Sequence, residues 1–496
     1  MPLSVPAIRE HTTSRTRFVD RTAQESLCVD LDGTLIATDV LWESVLLLVK
    51  SHPHLLLRIP VWLLRGKAHL KRQIAKWVRP NPATLPYRSE VIDFVREARA
   101  SGRETVLATA SDVLVANDIA AHLGCFSGVI ASNGITNLSY EHKSAALVSR
   151  FGVGGFDYVG DSHADLTSWA AAHRAFLVDP SPLLLKRASA RAKVERVFAA
   201  SRRWPIAVLK ALRVHQWVKN LLVFVPLVMA HEIRDTQKLL VTAVTFLVFS
   251  LLASSVYTAN DLLDLESDRQ HPRKKRRPFA AGELSIPTGA GLSAALLCAA
   301  LAVGVLALTP LAFACVAAYG ALSTAYSYHL KRLVVVDVMV LASLYVLRVV
   351  AGGLAVDVPL SHWFVAFSMF IFLSLALMKR HAELTLLERQ GRADATGRGY
   401  VSLDREWVGA TGIASGYLSV LVLALYITSD DVEVLYRWPA MLWPVCVAVL
   451  LWISRMWALA YRGSIEDDPV VVTLKDPASY AVGALIAILM FVAAWM

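Results

Sequence analysis

The chain has 496 residues and a formal net charge of +10; hydrophobic residues make up 55% of it and charged residues only 18%. This composition excludes an ordinary soluble enzyme, and the length favours two or more domains. Five scattered cysteines predict neither a disulfide framework nor a zinc site, and the polar start predicts no signal peptide. Polarity changes near residue 205, so we predict a flexible N-terminus at residues 1–23, a soluble domain at residues 24–200 and a membrane domain at residues 205–496.

Strands alternate with helices through the soluble domain. Short apolar runs that begin at Ser26, Glu104, Gly128 and Phe156 are separated by amphipathic stretches. This alternation predicts an α/β Rossmannoid fold with a parallel sheet, in which ligands bind at the carboxyl ends of the strands. We predict that residues from about 40 to 80, which follow the first strand, form a helical cap.

Acidic residues follow the first and last of these runs. Asp30 and Asp32 lie in a D-x-D-G-T motif, and Asp161 and Asp165 lie in G-D-x-x-x-D. A carboxylate at a strand tip, such as Asp30, can attack phosphorus. Asp32, on the same side of the extended chain, can protonate the leaving oxygen and then activate water. Asp30, Asp161 and Asp165 together suit a Mg²⁺ site.

Two further residues complete this pattern. Lys143 and a hydroxyl at the end of the second strand can neutralise phosphoryl oxygens. Either Thr109 or Ser111 can supply that hydroxyl, and we favour Thr109. The motifs in this order resemble the haloacid-dehalogenase (HAD) superfamily of phosphatases over residues of about 24–190. The resemblance implies phosphatase activity with these residue roles; the alternative is an inactive HAD fold kept as a scaffold.

The cap segment is unusually apolar, with Lys and Arg at its edges. One interpretation is a cap that packs only on its own domain. The other is a pair of surface-seeking helices that hold the active site at the bilayer, where a lipid-linked phosphate would be presented.

Nine apolar runs of the membrane domain are long enough to span a bilayer. They are centred near residues 222, 248, 298, 319, 343, 370, 418, 449 and 486. The loops after even-numbered spans contain sixteen Lys and Arg residues, and the opposite loops contain three. The positive-inside rule therefore predicts a multi-pass protein of a bacterial inner membrane, with the more basic loops and the HAD domain in the cytoplasm.

An array of acids follows the second span. Asp261, Asp264 and Asp268 follow Asn260 at spacings of three and four residues, so we expect the carboxylates on one helix face about 10 Å long. Oxygen ligands over this length suit one or two Mg²⁺ ions that would hold a diphosphate. The alternative is a solvated helix end.

A basic run follows directly, and it contributes the candidate phosphate ligands Arg273, Lys275 and Arg277. The run lies in a short loop between spans, so we expect no nucleic-acid partner.

A second polar group is predicted on the same side of the membrane. Its candidate substrate-binding residues are Tyr326, Lys331, Arg332, Asp337, Arg348, Lys379 and Arg380. Lys331 and Arg332 can neutralise a diphosphate, and Asp337 can supply a further metal oxygen. Arg348 lies about three turns into an apolar run and should pair or snorkel. Ordinary interfacial anchoring is the alternative for the others.

The motif N-D-x-x-D-x-x-x-D before H-P-x-K-x-x-R-P resembles the UbiA superfamily of membrane prenyltransferases, over residues of about 208–496. The resemblance implies an all-α bundle of nine spans, Mg²⁺ as cofactor, and an active site open to the cytoplasm and to lipid. The sequence departs from typical members at the second acidic motif, where Leu341 replaces the second acid after Asp337.

The match is better with the decaprenyl-phosphate phosphoribosyltransferase branch, which shares Tyr345-x-x-Arg348 and Lys379-Arg-x-Ala-Glu. That branch implies transfer of phosphoribose from a diphosphate donor to polyprenyl phosphate, and the HAD domain could then remove the 5-phosphate. Prenyl transfer from a prenyl diphosphate to an aromatic or other small acceptor is the alternative, and a transporter is the alternative from another class. The expected partners are an isoprenoid lipid, the diphosphate donor and the bilayer; homo-oligomerisation is left open.

Overall fold

The computed structural model describes residues 25–199, 204–389, 398–465, 469–473 and 475–495. The chain divides into two compact units, Met1–Arg202 and Arg203–Met496. The predicted flexible terminus at residues 1–23 lies outside the described residues.

The N-terminal unit is built on a six-stranded parallel sheet in the order β3-β2-β1-β4-β5-β6. The strands are β1 (Ser26–Val29), β2 (Thr105–Asp112), β3 (Gly128–Ser132), β4 (Phe156–Gly160), β5 (Ala175–Val178) and β6 (Val194–Phe198). The helices are α1 (Val40–Ser51), α2 (Ile59–Leu64), α3 (Lys67–Trp77), α4 (Ser89–Ala100), α5 (Val113–Leu123), α6 (Glu141–Phe151), α7 (Leu166–Ala171) and α8 (Pro182–Ser189). The central strands are apolar and buried because helices cover both faces. The predicted α/β parallel fold is confirmed.

The cap lies between β1 and α4 and consists of α1, α2 and α3. Asp39 caps α1, since its carboxylate accepts the backbone N–H of Leu41 at 2.8 Å. A separate small core holds the cap together, and its buried members are Leu48, Leu55, Trp62, Leu70 and Ile74. The helical cap predicted for residues of about 40–80 is therefore present.

The second unit is helical throughout its described residues. Its helices are α9 (Trp204–Leu212), α10 (Val225–Met229), α11 (Thr236–Leu263), α12 (Leu265–Gln270), α13 (Ile286–Ala307), α14 (Pro310–Tyr328), α15 (Val336–Ala355), α16 (His362–Arg389), α17 (Arg405–Ile427), α18 (Asp430–Leu435), α19 (Trp443–Tyr461), α20 (Pro469–Thr473) and α21 (Pro477–Trp495). Short 3₁₀ segments in the chain are Pro53–Arg58, Pro82–Thr84, His163–Asp165, Val214–Phe224, Lys274–Arg276, Leu330–Arg332, Ser402–Asp404 and Pro439–Leu442.

Seven helices in the described part of the chain are long and apolar enough to cross a membrane. They include α11, α13, α15, α16 and α21, together with α17 and α19 and the short turns that precede them. The predicted number of nine is not confirmed. The run near residue 222 folds as a 3₁₀ segment followed by the short α10, with Pro226 in its first turn. The run near residue 319 forms α14, whose apolar pattern is interrupted by Tyr319, Ser323 and Tyr326.

Helix α15 is the most buried of these seven. It packs closely on the segment Val214–Phe224, because a Cβ atom on Gly352 would lie only 2.1 Å from the carbonyl oxygen of Val223. Only glycine allows this approach. The same packing brings Asn220 to Arg348, three turns into the predicted span.

Candidate active sites

The first site lies at the carboxyl ends of β1, β2 and β4. Asp30 follows β1 directly, and Lys143 reaches it from α6, with Nζ 2.9 Å from Asp30 Oδ2 and 3.2 Å from Asp165 Oδ1. Burial raises the pKa of Asp30 to about 7, and the Lys143 charge opposes this shift. Lys143 is therefore the buried counter-ion of the predicted nucleophile.

Asp30, Asp161 and Asp165 converge so that one carboxylate oxygen from each lies within 4.8 Å of the others. Burial and the charges of Asp30 and Asp165 raise the pKa of Asp161 to about 8. A divalent cation between the three groups would remove this repulsion, so the residues fit Mg²⁺. Gly33 makes room for Asp161: its φ is +76°, and a Cβ atom there would lie 2.1 Å from Asp161 Oδ2.

Asp32 is held between the cap and the sheet. Its carboxylate accepts the backbone N–H of Val40 at 2.8 Å and the hydroxyl of Ser111 at 2.6 Å. Burial raises the pKa of Asp32 to about 6, which suits a group that must both donate and accept a proton near neutral pH.

The two candidate hydroxyls of β2 have different contacts. Ser111 binds Asp32, whereas Thr109 is fully buried and accepts the backbone N–H of Ser111 at 3.0 Å. Because β2 continues to Asp112, Ser111 is still positioned by the sheet. The structure thus places Ser111, rather than the favoured Thr109, against the candidate acid.

The cap adds a cation that the motifs did not reveal. Lys71 of α3 donates to the carbonyl of Ala110 at 2.7 Å, and its charge opposes the rise in the pKa of Asp32. Lysines are common in basic helices, so only the tertiary contact identifies this one.

The second site is a cavity of about 370 Å³ in the helical unit. Among the described residues, eight bases and two acids line it. The bases are Arg213, Lys219, Lys274, Arg277, Lys331, Arg348, Lys379 and Arg398, and the acids are Asp264 and Glu383. Tyr257, Tyr319, Tyr326 and Tyr345 also line it. A concave surface with this excess of positive charge attracts polyanions.

The aspartate array lies at the junction of α11 and α12. Helix α11 ends at Leu263, and Asp264 separates it from α12. Asp264 faces the cavity, where it accepts from Asn260 Nδ2 at 3.1 Å and lies 3.6 Å from Lys331 Nζ. The backbone N–H groups of Asp264 and Asp268 still donate to the carbonyl oxygens of Asn260 and Asp264, at 2.9 and 2.8 Å, so helical hydrogen bonding continues through this junction.

Asp261 and Asp268 meet on the guanidinium of Arg277, whose Nη1 lies 3.0 Å from Asp261 Oδ1 and 2.6 Å from Asp268 Oδ2. Arg213 also donates to Asp261. A positive group thus already lies between the two carboxylates, so this pair fits a cation. Within the described ranges, the three acids of the array do not form a ligand cluster as compact as that of the first site.

Arg348 is buried, with 4% of its surface exposed, and lines the cavity. It donates to Asn220 Oδ1 at 2.8 Å and to the Tyr319 hydroxyl at 2.9 Å, and it also donates to the carbonyl of Leu344. It therefore pairs, as predicted, but in the described part of the chain its partners are all neutral. A buried cation with neutral partners is stabilised when an anion enters the cavity.

Asp337 and Arg380 were predicted to contact metal and phosphate, and the structure pairs them with each other away from the cavity lining. The two side chains are fully buried and pair with each other at 2.6 Å. Asp337 also accepts the Tyr400 hydroxyl at 2.6 Å, and Arg380 also pairs with Glu383. Neither lines the cavity. Both contact charged residues that do line it, since Arg380 pairs with Glu383 and Asp337 lies 3.8 Å from Arg398.

Three predicted bases also lie outside the cavity. Arg273, Lys275 and Arg332 are exposed, while their neighbours Lys274, Arg277 and Lys331 line it. A 3₁₀ turn over Lys274–Arg276 directs successive side chains differently, so composition alone could not select among them.

Five charged residues of the cavity were not among the candidates chosen from the sequence: Arg213, Lys219, Lys274, Glu383 and Arg398. Lys274 is the lysine of H-P-x-K-x-x-R-P and could have been chosen from that motif. The others lie in different segments of the chain and are brought together only by packing.

Residues 221–471 match the family model described as the UbiA prenyltransferase family. The chain belongs to this family. An uncharacterized protein of Sinorhizobium fredii, y4nM, is 39% identical over 465 residues, which cover 93% of this chain and 89% of that protein. The decaprenyl-phosphate phosphoribosyltransferase of Corynebacterium glutamicum is 40% identical over 187 residues, or 37% of this chain and 56% of that protein.

Two solved structures are similar in part. A UbiA homolog from Archaeoglobus fulgidus bound to GPP and Mg²⁺ gives a TM-score of 0.44 at 15% identity, covering 58% of this chain and all of that one. A phosphoserine phosphatase gives a TM-score of 0.27 at 12% identity, covering 36% of this chain and 94% of that one. This member of the UbiA family is thus an integral membrane transferase with an N-terminal α/β unit.

Proposed function

We propose that the transmembrane unit transfers a phosphoribosyl group from 5-phosphoribosyl diphosphate to a polyprenyl phosphate. The charge of the cavity carries this proposal. These two substrates bring a diphosphate, a 5-phosphate and a lipid phosphate together, whereas prenyl transfer to a neutral acceptor brings only one diphosphate. A lining of eight bases and two acids matches the more highly charged pair.

The relatives support the same choice. The Corynebacterium glutamicum protein named decaprenyl-phosphate phosphoribosyltransferase is similar to this chain over 187 residues. The match spans 56% of that protein. We therefore propose the same two substrates for this chain.

In the proposed reaction, an oxygen of the lipid phosphate attacks the anomeric carbon of the donor, and the bond to the diphosphate breaks on the opposite face. Lys274, Arg277 and Lys331 bind the departing diphosphate near Asp264. Arg348 and Lys219 bind the second anion on the other side of the cavity. Mg²⁺ held by Asp261, Asp264 and Asp268 would add charge for the leaving group. Holding both reactants in line removes much of the entropic barrier.

We further propose that the HAD-like unit is a phosphatase that acts on the 5-phosphate of this product. Asp30 attacks the phosphorus, and Asp32 donates a proton to the departing oxygen of ribose. Water activated by Asp32 then hydrolyses the aspartyl phosphate, while Lys143 keeps Asp30 ionised and oriented. Mg²⁺ at Asp30, Asp161 and Asp165 would neutralise the phosphoryl oxygens. The lipid product would be a polyprenyl phosphoryl ribose.

The positive-inside rule, which predicts that both active sites lie on the same side of the membrane, supports this coupling. The charge of the loops favours the cytoplasmic side of a bacterial inner membrane for both active sites. A lipid-anchored product would then reach the phosphatase without crossing the bilayer.

A single assay tests the proposal. Membranes containing the protein receive radiolabelled phosphoribosyl diphosphate and polyprenyl phosphate, with Mg²⁺ or with a chelator. We expect Mg²⁺-dependent label in the lipid fraction and no 5-phosphate on the final product. A parallel reaction receives radiolabelled prenyl diphosphate and an aromatic acceptor. If only this reaction forms a labelled product, the activity is prenyl transfer instead.

A further inference from the structure

The cap has an apolar outer face. Leu57, Val61 and Leu64 are 84%, 53% and 89% exposed. Their spacings of four and three residues place them on one side of the continuous helical stretch Pro53–Leu64. Leu55 and Trp62, on the opposite side of this stretch, are buried in the cap core. The cap core is therefore complete without these three side chains.

The charged residues of the cap are almost all positive. Residues 40–80 contain eight Lys and Arg residues and one acid, Glu43, which is buried. Lys71 is turned towards the sheet, and Arg72 and Arg79 pair with acids of the α/β domain. The five remaining bases are all exposed: Lys50, Arg58, Arg65, Lys67 and Lys76. Arg58 and Arg65 directly follow Leu57 and Leu64, so positive charge borders the apolar stripe.

We propose that this face of the cap docks on the surface of an anionic bilayer. Leu57, Val61 and Leu64 would enter the boundary between head groups and acyl chains, and the bordering bases would contact lipid phosphates. A bilayer is a surface that this protein itself meets, because seven helices in the described part of the chain have the length and composition to span one. A soluble partner would need acids to match this rim, whereas anionic lipid matches both the apolar stripe and the charge.

Docking would have a consequence for catalysis. The cap borders the acid-base site, since Val40 at the start of α1 donates to Asp32 and Lys71 of α3 reaches the end of β2. A docked cap would hold this site where a lipid-linked phosphate is presented. That advantage rests on the proposed phosphatase function; the docking itself does not.

Depth-dependent quenching tests the docking on the full chain. Leu64→Cys is labelled with a fluorophore in a Cys298→Ser and Cys315→Ser background, because Cys28, Cys125 and Cys446 are buried. Val153→Cys is the matched control, an apolar residue of the same unit outside the cap that is 77% exposed. In liposomes of phosphatidylglycerol with brominated acyl chains, we expect quenching at position 64 at least twofold stronger than at position 153. Equal quenching at positions 64 and 153 would overturn the proposal. A label at position 64 that is covered by a second copy or by the transmembrane helices, and not by lipid, would give this result.

Turnover provides an independent measurement. The double variant Leu57→Ser, Leu64→Ser should raise KM several-fold for a phosphate monoester embedded in liposomes and leave hydrolysis of soluble p-nitrophenyl phosphate unchanged. Val153→Ser should change neither. An equal loss on both substrates would mean that the stripe serves the fold, against the proposal. An enzyme without phosphatase activity would refute the proposed function, and the quenching result would still decide the docking.

Discussion

The two candidate sites differ in charge: acids predominate in the site of the N-terminal unit, and bases predominate in the site of the transmembrane unit. In the N-terminal unit, three carboxylates lie within 4.8 Å of one another, and one buried lysine, Lys143, pairs with two of them. In the transmembrane unit, eight bases line the cavity and two of the three motif aspartates are bound by Arg277. Crowded carboxylates suit a site that uses one of them as a nucleophile, whereas a cationic lining suits a site that binds anions while they react.

The largest effect should come from the nucleophile of the first unit. Asp30→Asn keeps the shape of the side chain and removes its negative charge, so phosphatase turnover should fall by about a thousandfold or more. Transfer of phosphoribose should be unchanged, and the lipid product should keep its 5-phosphate. Product analysis by mass spectrometry measures both results in one sample.

Asp93→Asn is the matched control, because Asp93 is an exposed acid of the same unit that pairs only weakly with Arg96, at 3.6 Å. It should leave both reactions intact. If wild type and Asp30→Asn both release only the 5-phosphorylated lipid, the two units do not act in sequence.

A smaller loss, in the other activity, should follow from Asp264→Asn. This acid faces the cavity and lies 3.6 Å from Lys331, so its loss removes charge from the site without breaking a buried pair. We expect transfer to fall by about 10²- to 10³-fold, the range found when one electrostatic stabiliser is removed. Phosphatase activity on a soluble ester should not change. The control is Asp357→Asn, because Asp357 is an exposed acid just beyond the far end of α15. Unaltered transfer in Asp264→Asn would show that Asp264 takes no part in the mechanism.

Arg348 tests whether the second site depends on buried positive charge. Arg348→Met should lower kcat/KM for transfer by about 10- to 100-fold, or about 1.4–2.8 kcal/mol, mainly through KM for the anionic substrate. Arg348→Lys should recover part of this loss, because the charge returns without the fork that contacts Asn220 and Tyr319. An equal loss in both variants, with KM unchanged, would assign Arg348 to the fold alone.

The same contrast explains what the sequence could predict. The first site follows from local rules: a buried strand ends at Asp30, and a parallel sheet brings Asp161 and Lys143 to the same edge. The second site depends on distant contacts. No local pattern shows that Arg380 pairs with Asp337, or that Asn220 meets Arg348 across a glycine contact. The spacing of Asp261, Asp264 and Asp268 likewise gives no sign that Arg277 binds two of these acids.

The smallest predicted effect separates the two hydroxyls of β2. Ser111→Ala removes the hydrogen bond of 2.6 Å to Asp32. Such a bond contributes about 1 kcal/mol, so we expect phosphatase kcat to fall by a fewfold to tenfold. We also expect the pH profile to shift. The bond lowers the pKa of Asp32, so its removal should move the limb that belongs to Asp32 to higher pH. Thr109→Ser keeps the hydroxyl that accepts the Ser111 N–H and should not move that limb. A shift in Thr109→Ser with none in Ser111→Ala would restore Thr109 as the hydroxyl of the site.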